Sequence, residues 1–87
     1  MSVYRLAPGI RLRPGECGTA MLLIPEGVVK LSDTACATLA CVDGASDERT
    51  IAERLAREYE APEETMLADV RELLETFAAR GYLLTTA

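Results

Sequence analysis

The spacing of apolar positions changes character near Ser32. Before that point, apolar residues form short runs or alternate with polar ones, which is the period of β-strands. After it, they recur at helical spacing. The chain therefore predicts a small sheet followed by helices.

Three segments of the first part predict strands. Ile10–Arg13 alternates apolar and basic residues, as a half-buried strand does. Ala20–Ile24 is apolar on both faces and predicts a central strand. After a turn at Pro25–Gly27, a third strand is predicted for Val28–Leu31, in which Val29 and Leu31 lie on one face and Val28 and Lys30 on the other. Residues 1–9 predict an irregular arm that ends in Pro8-Gly9.

The first helix is predicted to run to Val42. Ser32 or Asp33 is its expected N-cap, because either side chain can accept a hydrogen bond from a free backbone N–H. Asp43-Gly44 should end it, with Gly44 in the left-handed position.

A second helix should follow the polar loop Ala45–Arg49. Thr50 and Glu53 form the capping-box pattern T-x-x-E at its start. Its apolar stripe is expected to be Ile51, Leu55 and Tyr59.

The third helix is predicted for Pro62–Arg80, with Pro62 in its first turn and Gly81 as its cap. Tyr82–Leu84 should be a short apolar tail that returns to the core. The helix's apolar stripe comprises Met66, Val70, Leu73, Leu74 and Phe77. The predicted fold class is α+β, with a small three-stranded antiparallel sheet followed by three helices, in a single domain over residues 1–87.

Composition excludes several kinds of site. The net charge of −5 disfavours a phosphate backbone as a ligand, so we expect no nucleic-acid partner. No His is present, which removes His-based catalysis and His metal ligands. Cys17, Cys36 and Cys41 form no C-x-x-C pair, and we expect them to be small buried thiols in a reducing compartment, with no metal site.

No catalytic constellation emerges from the remaining polar residues. Glu26, Asp33, Asp43 and Asp69 are not paired with a suitable partner group, and Gly-rich phosphate loops are missing. Arg11 and Arg13 share one strand face, where simple solvation is preferred to nucleic-acid binding. We expect that the protein is not an enzyme.

The longest apolar run, Ala20–Ile24, is far too short to span a bilayer, and the first residues lack the apolar segment of a signal peptide. We therefore expect no membrane association and a cytoplasmic location.

The third strand is the most informative segment. A β-branched edge beside an apolar helix suits β-augmentation, in which a partner peptide adds a strand through main-chain hydrogen bonds. A Pro at Val29 is then expected to abolish docking, because Pro removes a ladder N–H. Plain core packing is the alternative for Val28, Val29 and Leu31.

The segment from Leu22 to Gly44, LLIPEGVVKLSDTACATLACVDG, resembles the PqqD family of peptide chaperones in pyrroloquinoline quinone (PQQ) biosynthesis. That family has a similar P-E-G-x-V-x-L-N hairpin, an Ala-rich helix and a closing D-G. Further similarities are Arg11-Leu12, Thr50-Ile51, Asp69-Val70 followed by Leu73-Leu74, and Gly81 followed by apolar residues. Ser32 stands where the family usually has Asn, and the loop Ala45–Arg49 is a residue or two longer.

The resemblance implies a winged-helix-like fold that recognises ribosomally made peptides. It implies binding of the precursor peptide PqqA and its presentation to the radical SAM enzyme PqqE, which cross-links a Glu and a Tyr of the peptide. Since the chain lacks the cysteines for a cluster, it should need no cofactor. By the same resemblance, the expected peptide-binding residues are Val28, Val29, Lys30, Leu31, Asp69, Val70, Leu73 and Leu74.

Two other functions stay open at this point. The domain could recognise the leader of another ribosomally synthesised, modified peptide. A winged-helix DNA-binding protein is a third hypothesis, disfavoured by the acidic charge and by the absence of a basic recognition helix. The open strand also permits a homodimer through strand exchange.

Overall fold

The structure is a computed structural model that describes residues 3–13, 15 and 19–86. In these residues, four short strands come first, three helices follow, and a fifth strand comes last, an order that the sequence only partly predicted. The elements are β1 (Val3–Leu6), β2 (Arg11–Arg13), β3 (Met21–Ile24), β4 (Gly27–Lys30), α1 (Asp33–Ala40), α2 (Glu48–Glu58), α3 (Glu63–Ala79) and β5 (Leu83–Thr86).

The predicted three-stranded sheet is confirmed, with antiparallel order β2-β3-β4. Leu22 on the central strand lies opposite Leu12 on one side and Val29 on the other. A two-residue turn at Pro25-Glu26 joins β3 to β4, because Ile24 pairs directly with Gly27. Gly27 has a φ of 148°, a backbone conformation that suits glycine.

The helices cover one face of this sheet. Leu22 is fully buried and belongs to the same hydrophobic core cluster as side chains of all three helices. An exposed ion pair of 3.0 Å between Arg71 and Glu48 joins α3 to α2. These layers confirm the α+β class. The fully buried helical side chains are Thr38, Leu39, Ile51, Leu55, Val70 and Leu74.

The prediction of an irregular N-terminal arm was wrong, whereas the apolar tail returns to the core as predicted, with Leu83 buried, and does so as a strand. Val3–Leu6 is a strand that pairs antiparallel with Leu83–Thr86 in a second, two-stranded sheet. Tyr4 is buried in this arrangement, and the local pattern could not reveal it because its partner strand lies at the other end of the chain.

The first helix is shorter than predicted. Ser32 is its N-cap, as expected, and its Oγ accepts a hydrogen bond of 3.1 Å from the Ala35 N–H. The helix ends at Ala40 with Cys41 as C-cap, so Gly44 does not cap it. Gly44 has a φ of 80° in the following loop, where its N–H donates to the Tyr4 carbonyl at 3.0 Å.

The second helix begins before the predicted capping box. Asp47, not Thr50, is its N-cap, and the Asp47 carboxylate accepts a 2.8 Å hydrogen bond from the Thr50 N–H. Asp is the stronger cap, and Glu48 is acidic in the first turn, which the helix dipole favours. Residues 48 and 49 are thus helical rather than part of a loop.

Two helix ends use the same backbone motif with different residues. After α3, Gly81 adopts a φ of 84°, as predicted, and the Tyr82 N–H donates to the Phe77 carbonyl at 3.0 Å. After α2, Glu60 occupies the equivalent position with a φ of 51°.

Pro62 is the N-cap of α3 and lies one residue before its first turn.

Three predicted burials differ from the structure. Tyr59 is exposed at the C-cap of α2 instead of closing its apolar stripe. Cys36 and Cys41 carry free thiols and are half-buried, not fully buried. Cys17 lies outside the described residues.

Candidate functional site

Strand β4 forms one edge of the three-stranded sheet, and within the described residues it pairs only with β3. The Leu31 N–H donates to the Ala20 carbonyl at 3.0 Å, which continues the ladder by one residue. Main-chain groups alternate in direction along an antiparallel ladder. Val29, like Leu31, therefore bonds toward β3, whereas the N–H and C=O groups of Val28 and Lys30 point away from it.

This alternation corrects the expectation that a Pro at Val29 would specifically remove a docking hydrogen bond. The Val29 N–H belongs to the internal ladder with Leu22. The donors available to an added strand are those of Val28 and Lys30.

The side chains of β4 divide between two faces, as predicted. Leu31 is buried and Val29 is half-buried against the core. Val28 is 55% exposed, and Lys30 is exposed on the same outward face. An added strand would therefore meet apolar packing on one side of the sheet and open surface on the other.

A groove of about 430 Å³ opens between α1 and α3. It begins at Ser32, two residues after the end of β4, so the strand edge and the groove are continuous along the chain. Its apolar wall on α3 is formed by Leu73 and Phe77. The complete lining is Ser32, Thr34, Ala35, Thr38, Asp69, Glu72, Leu73, Thr76 and Phe77.

Two internal contacts hold the groove's shape. The Thr38 hydroxyl donates to the Thr34 carbonyl at 2.8 Å, which satisfies a buried polar group without a ligand. Phe77 packs edge to face on Tyr82, with ring centroids 5.7 Å apart. Both walls therefore have contacts within the protein that do not require a bound partner.

The structure separates the four predicted residues of α3 into two pairs. Asp69 and Leu73 line the groove. Val70 and Leu74 are 1% and 0% exposed and belong to the core, so they support the helix and cannot contact a peptide without repacking. Whether the first pair binds peptide stays a prediction.

Sequence reasoning missed part of the groove. On α3 it overlooked Glu72 and Thr76, although both are one helical turn from predicted residues and could have been found by that spacing. It named Phe77 only as a core residue. The α1 wall had no local signal, because Thr34, Ala35 and Thr38 become a groove only when α3 packs nearby.

The charged groups that line the groove, Asp69 and Glu72, are both acidic. Lys30 provides a positive charge on the outward face of β4 instead.

The described segments contain no group of three or more potential metal ligands. In the same segments, no helix is both long and apolar enough to cross a membrane.

A match to a known protein family shows which family this chain belongs to. Residues 19–83 match the family model of Coenzyme PQQ synthesis protein D (PqqD). The chain belongs to the PqqD family. The match spans β3 to the start of β5, and so it includes both the β4 edge and the groove.

Curated relatives agree with this membership. The chain is 32% identical to a PqqA binding protein of Methylococcus capsulatus, over 94% of this chain and 87% of the relative. It is 34% identical to a PqqA binding protein of Rhizobium meliloti, over 94% of this chain and 85% of the relative.

Solved structures extend the similarity to the fold. The PqqD truncation of Methylobacterium extorquens PqqCD, a functional and stand-alone RiPP recognition element, superposes with a TM-score of 0.81 at 36% identity, covering 94% of this chain and 88% of that one. The heterocyclase TruD superposes with a TM-score of 0.69 at 23% identity, covering 100% of this chain and 12% of TruD. At that identity the second similarity concerns the fold alone.

Proposed function

We propose that this PqqD-family protein is a peptide chaperone in PQQ biosynthesis that binds the precursor peptide PqqA. The observation that carries the proposal is the β4 edge, with main-chain groups directed outward beside the groove between α1 and α3. Membership of the PqqD family and the names of the two PqqA binding proteins support the choice of peptide.

The peptide would dock as an added strand on β4. Its main chain would bond to the outward groups of Val28 and Lys30, and its side chains on the inward face would lie toward Val29, Leu31 and the groove. Asp69 and Leu73 would contact it from α3. Main-chain bonds give affinity in this mode, and the groove selects side chains.

In this proposal the chain performs no reaction itself. It holds PqqA in an extended conformation and presents it to the radical SAM enzyme PqqE, which supplies the cofactor chemistry. Preordering a flexible peptide lowers the conformational entropy that the enzyme would otherwise have to remove when it binds its substrate.

The first experiment is calorimetric titration of the protein with synthetic PqqA encoded in the same genome. We expect saturable binding with a dissociation constant in about the micromolar range or tighter, typical of a transient interface. A folded protein that gives no heat of binding and no chemical-shift change with PqqA would contradict the choice of peptide. A titration with another leader peptide would then test the wider recognition-element function.

Two neighbouring proline substitutions test the docking strand. Lys30→Pro removes an outward N–H and leaves the internal ladder intact, and edge strands tolerate Pro. It should weaken PqqA binding at least about tenfold, as expected for a lost main-chain bond and a disturbed edge. Val29→Pro removes an N–H that bonds to β3 and should instead destabilise the fold.

Thermal unfolding of both variants separates the two effects. Normal PqqA affinity in a folded Lys30→Pro protein would show that β4 is not the docking strand. Sedimentation of the wild type at several concentrations checks whether a second copy occupies the same edge, since a homodimer through β4 would compete with the peptide.

A further inference from the structure

The outward face of the three-stranded sheet has an unusual composition. Register places its side chains in two rows across the strands: Arg11, Leu23 and Val28 form one row, and Arg13, Met21 and Lys30 the other. Half of these six positions are apolar and half are basic, and none is acidic. In a chain of net charge −5, this is a concentration of positive charge.

This outward face does not pack against the core. Met21, Leu23 and Val28 are absent from the hydrophobic cluster that holds Leu12, Leu22 and Val29 on the opposite face. An antiparallel sheet with one solvated face normally carries polar residues there. Met21 and Leu23 are half-buried and Val28 is exposed, so three apolar side chains lie next to one another on this face, as they do on many interaction surfaces.

The basic residues at the margins keep their charge available. Among the described residues, no ion pair involves Arg11, Arg13 or Lys30, and the ion pair present joins Arg71 to Glu48 elsewhere. A partner surface with acidic groups around an apolar centre would complement this arrangement, and complementary charge would also steer its approach.

Peptide docking would enlarge the same face, a step that rests on the proposed function. A strand added beside β4 continues both rows, because side chains alternate between faces with the pleat. Every second PqqA side chain would then lie next to Val28 and Lys30 on the outward face. The other side chains would be enclosed on the groove side and out of reach of a second protein.

We propose that the outward face, defined by Arg11, Arg13, Met21, Leu23, Val28 and Lys30, is the docking surface for the enzyme that modifies the bound peptide. The enzyme would present acidic side chains around an apolar patch, and it would contact the sheet and the outward side chains of the peptide together.

The test reverses the charges farthest from the peptide edge. Arg11→Glu with Arg13→Glu changes β2 only, and Arg54→Glu with Arg57→Glu makes the same charge change on α2 as a control. Binding of PqqE is measured for each protein with and without saturating PqqA. The β2 variant should bind PqqE at least about tenfold more weakly, while its affinity for PqqA stays within about twofold. The α2 variant should behave as wild type.

A neutral substitution gives a second variant if the charge reversals disturb folding. Leu23→Thr introduces a β-branched side chain, which suits a strand, and removes apolar surface from the middle of the face, so it should also weaken PqqE binding. PqqA should raise the affinity of the wild type for PqqE, because the combined surface contains peptide side chains, and PqqE should raise the affinity for PqqA by the same factor.

Several outcomes would overturn the proposal. These are unchanged PqqE binding by the folded β2 variant and by Leu23→Thr, equal weakening by the α2 control, or no PqqE binding by wild type in the presence of PqqA. Failure of PqqA to bind the wild type is a different result, because it contradicts the proposed function through the peptide titration alone.

Discussion

Two antiparallel strand pairs of this protein have the same length but differ in what lies beside them. β1–β5 and β3–β4 are both antiparallel pairs of four-residue strands. The outer side of β1 is occupied, since the Tyr4 carbonyl accepts a hydrogen bond from Gly44 and Val3 forms a bridge with Asp47. The outer side of β4 has no strand beside it in the described part of the chain.

The two edge strands also differ in burial. Tyr4 on β1 is 5% exposed, whereas Val28 on β4 is 55% exposed. Proteins usually cover or blunt a strand edge because an open edge invites pairing with another chain. The proposed docking edge is the open one, β4. The variants below separate effects on stability at the covered edge from effects on binding at the open edge.

The largest effect on stability should come from a substitution in β1–β5, the strand pair whose outer edge is covered. Leu83→Ala removes a buried side chain between β5 and the core and should lower the free energy of unfolding by about 2–5 kcal/mol. Denaturant unfolding measures this loss. Peptide affinity, measured where the variant is still folded, should match wild type, and a selective loss of PqqA binding would contradict the division.

A smaller effect, on binding alone, is expected at the groove beside the open edge. Leu73→Ala shortens a half-buried side chain that lines the groove, so it should weaken PqqA binding by about 1–2 kcal/mol, roughly 5–30-fold, with a modest loss of stability. Leu74→Ala is the matched control, because the neighbouring side chain is in the core. It should lower stability, not affinity. The reverse result would remove the groove from the site.

A smaller loss of stability is expected from straining the loop that contains Gly44 and lies beside β1. Gly44 has a φ of 80°, and an added Cβ would meet the Arg5 Cβ at an ordinary 3.8 Å, so Gly44→Ala should cost about 1–2 kcal/mol through backbone strain alone. Gly9→Ala has a similar φ of 84° and is the control. Both variants should lose similar stability, but only the first should speed hydrogen exchange at the amide of residue 44. PqqA affinity should not change in either.

The smallest effect concerns acid pH. Backbone N–H groups of Ala45 and Ser46 hydrogen-bond to the Asp43 carboxylate and lower its pKa, and the Thr50 N–H does the same for Asp47. A lowered pKa in the folded state means that the stabilisation is present above the ordinary value of 3.8 and is lost as pH falls through the folded value.

Asp43→Asn with Asp47→Asn keeps acceptor oxygens and removes both titrations. The double variant should lose less Tm than wild type between about pH 6 and pH 3, by the linkage of proton binding to folding. Equal losses would show that these carboxylates do not contribute to the acid sensitivity of the loop.

Much of the sheet and helix order could be predicted because its signals are local. Alternation identified β2, the double-sided apolar run identified β3, and the helical stripe identified the face of α3 that carries Leu73. The N-cap of α2 could not be identified from the sequence, because Asp47 and Thr50 both offer a side-chain oxygen. Only the packed helix selects Asp47. The α1 wall of the groove had no signal, because small residues such as Ala35 are common in any helix.

The sequence by itself determined the α+β class, the alternation of faces along β4 and the family, because periodicity, turn residues and motif order are properties of neighbouring positions. Only the tertiary structure decided that residues 3–6 pair with residues 83–86, that Val70 and Leu74 face the core while Asp69 and Leu73 line a groove, and which N–H groups of β4 point outward. These depend on contacts between distant segments and on ladder register. Their free energies come from packing that no local pattern encodes.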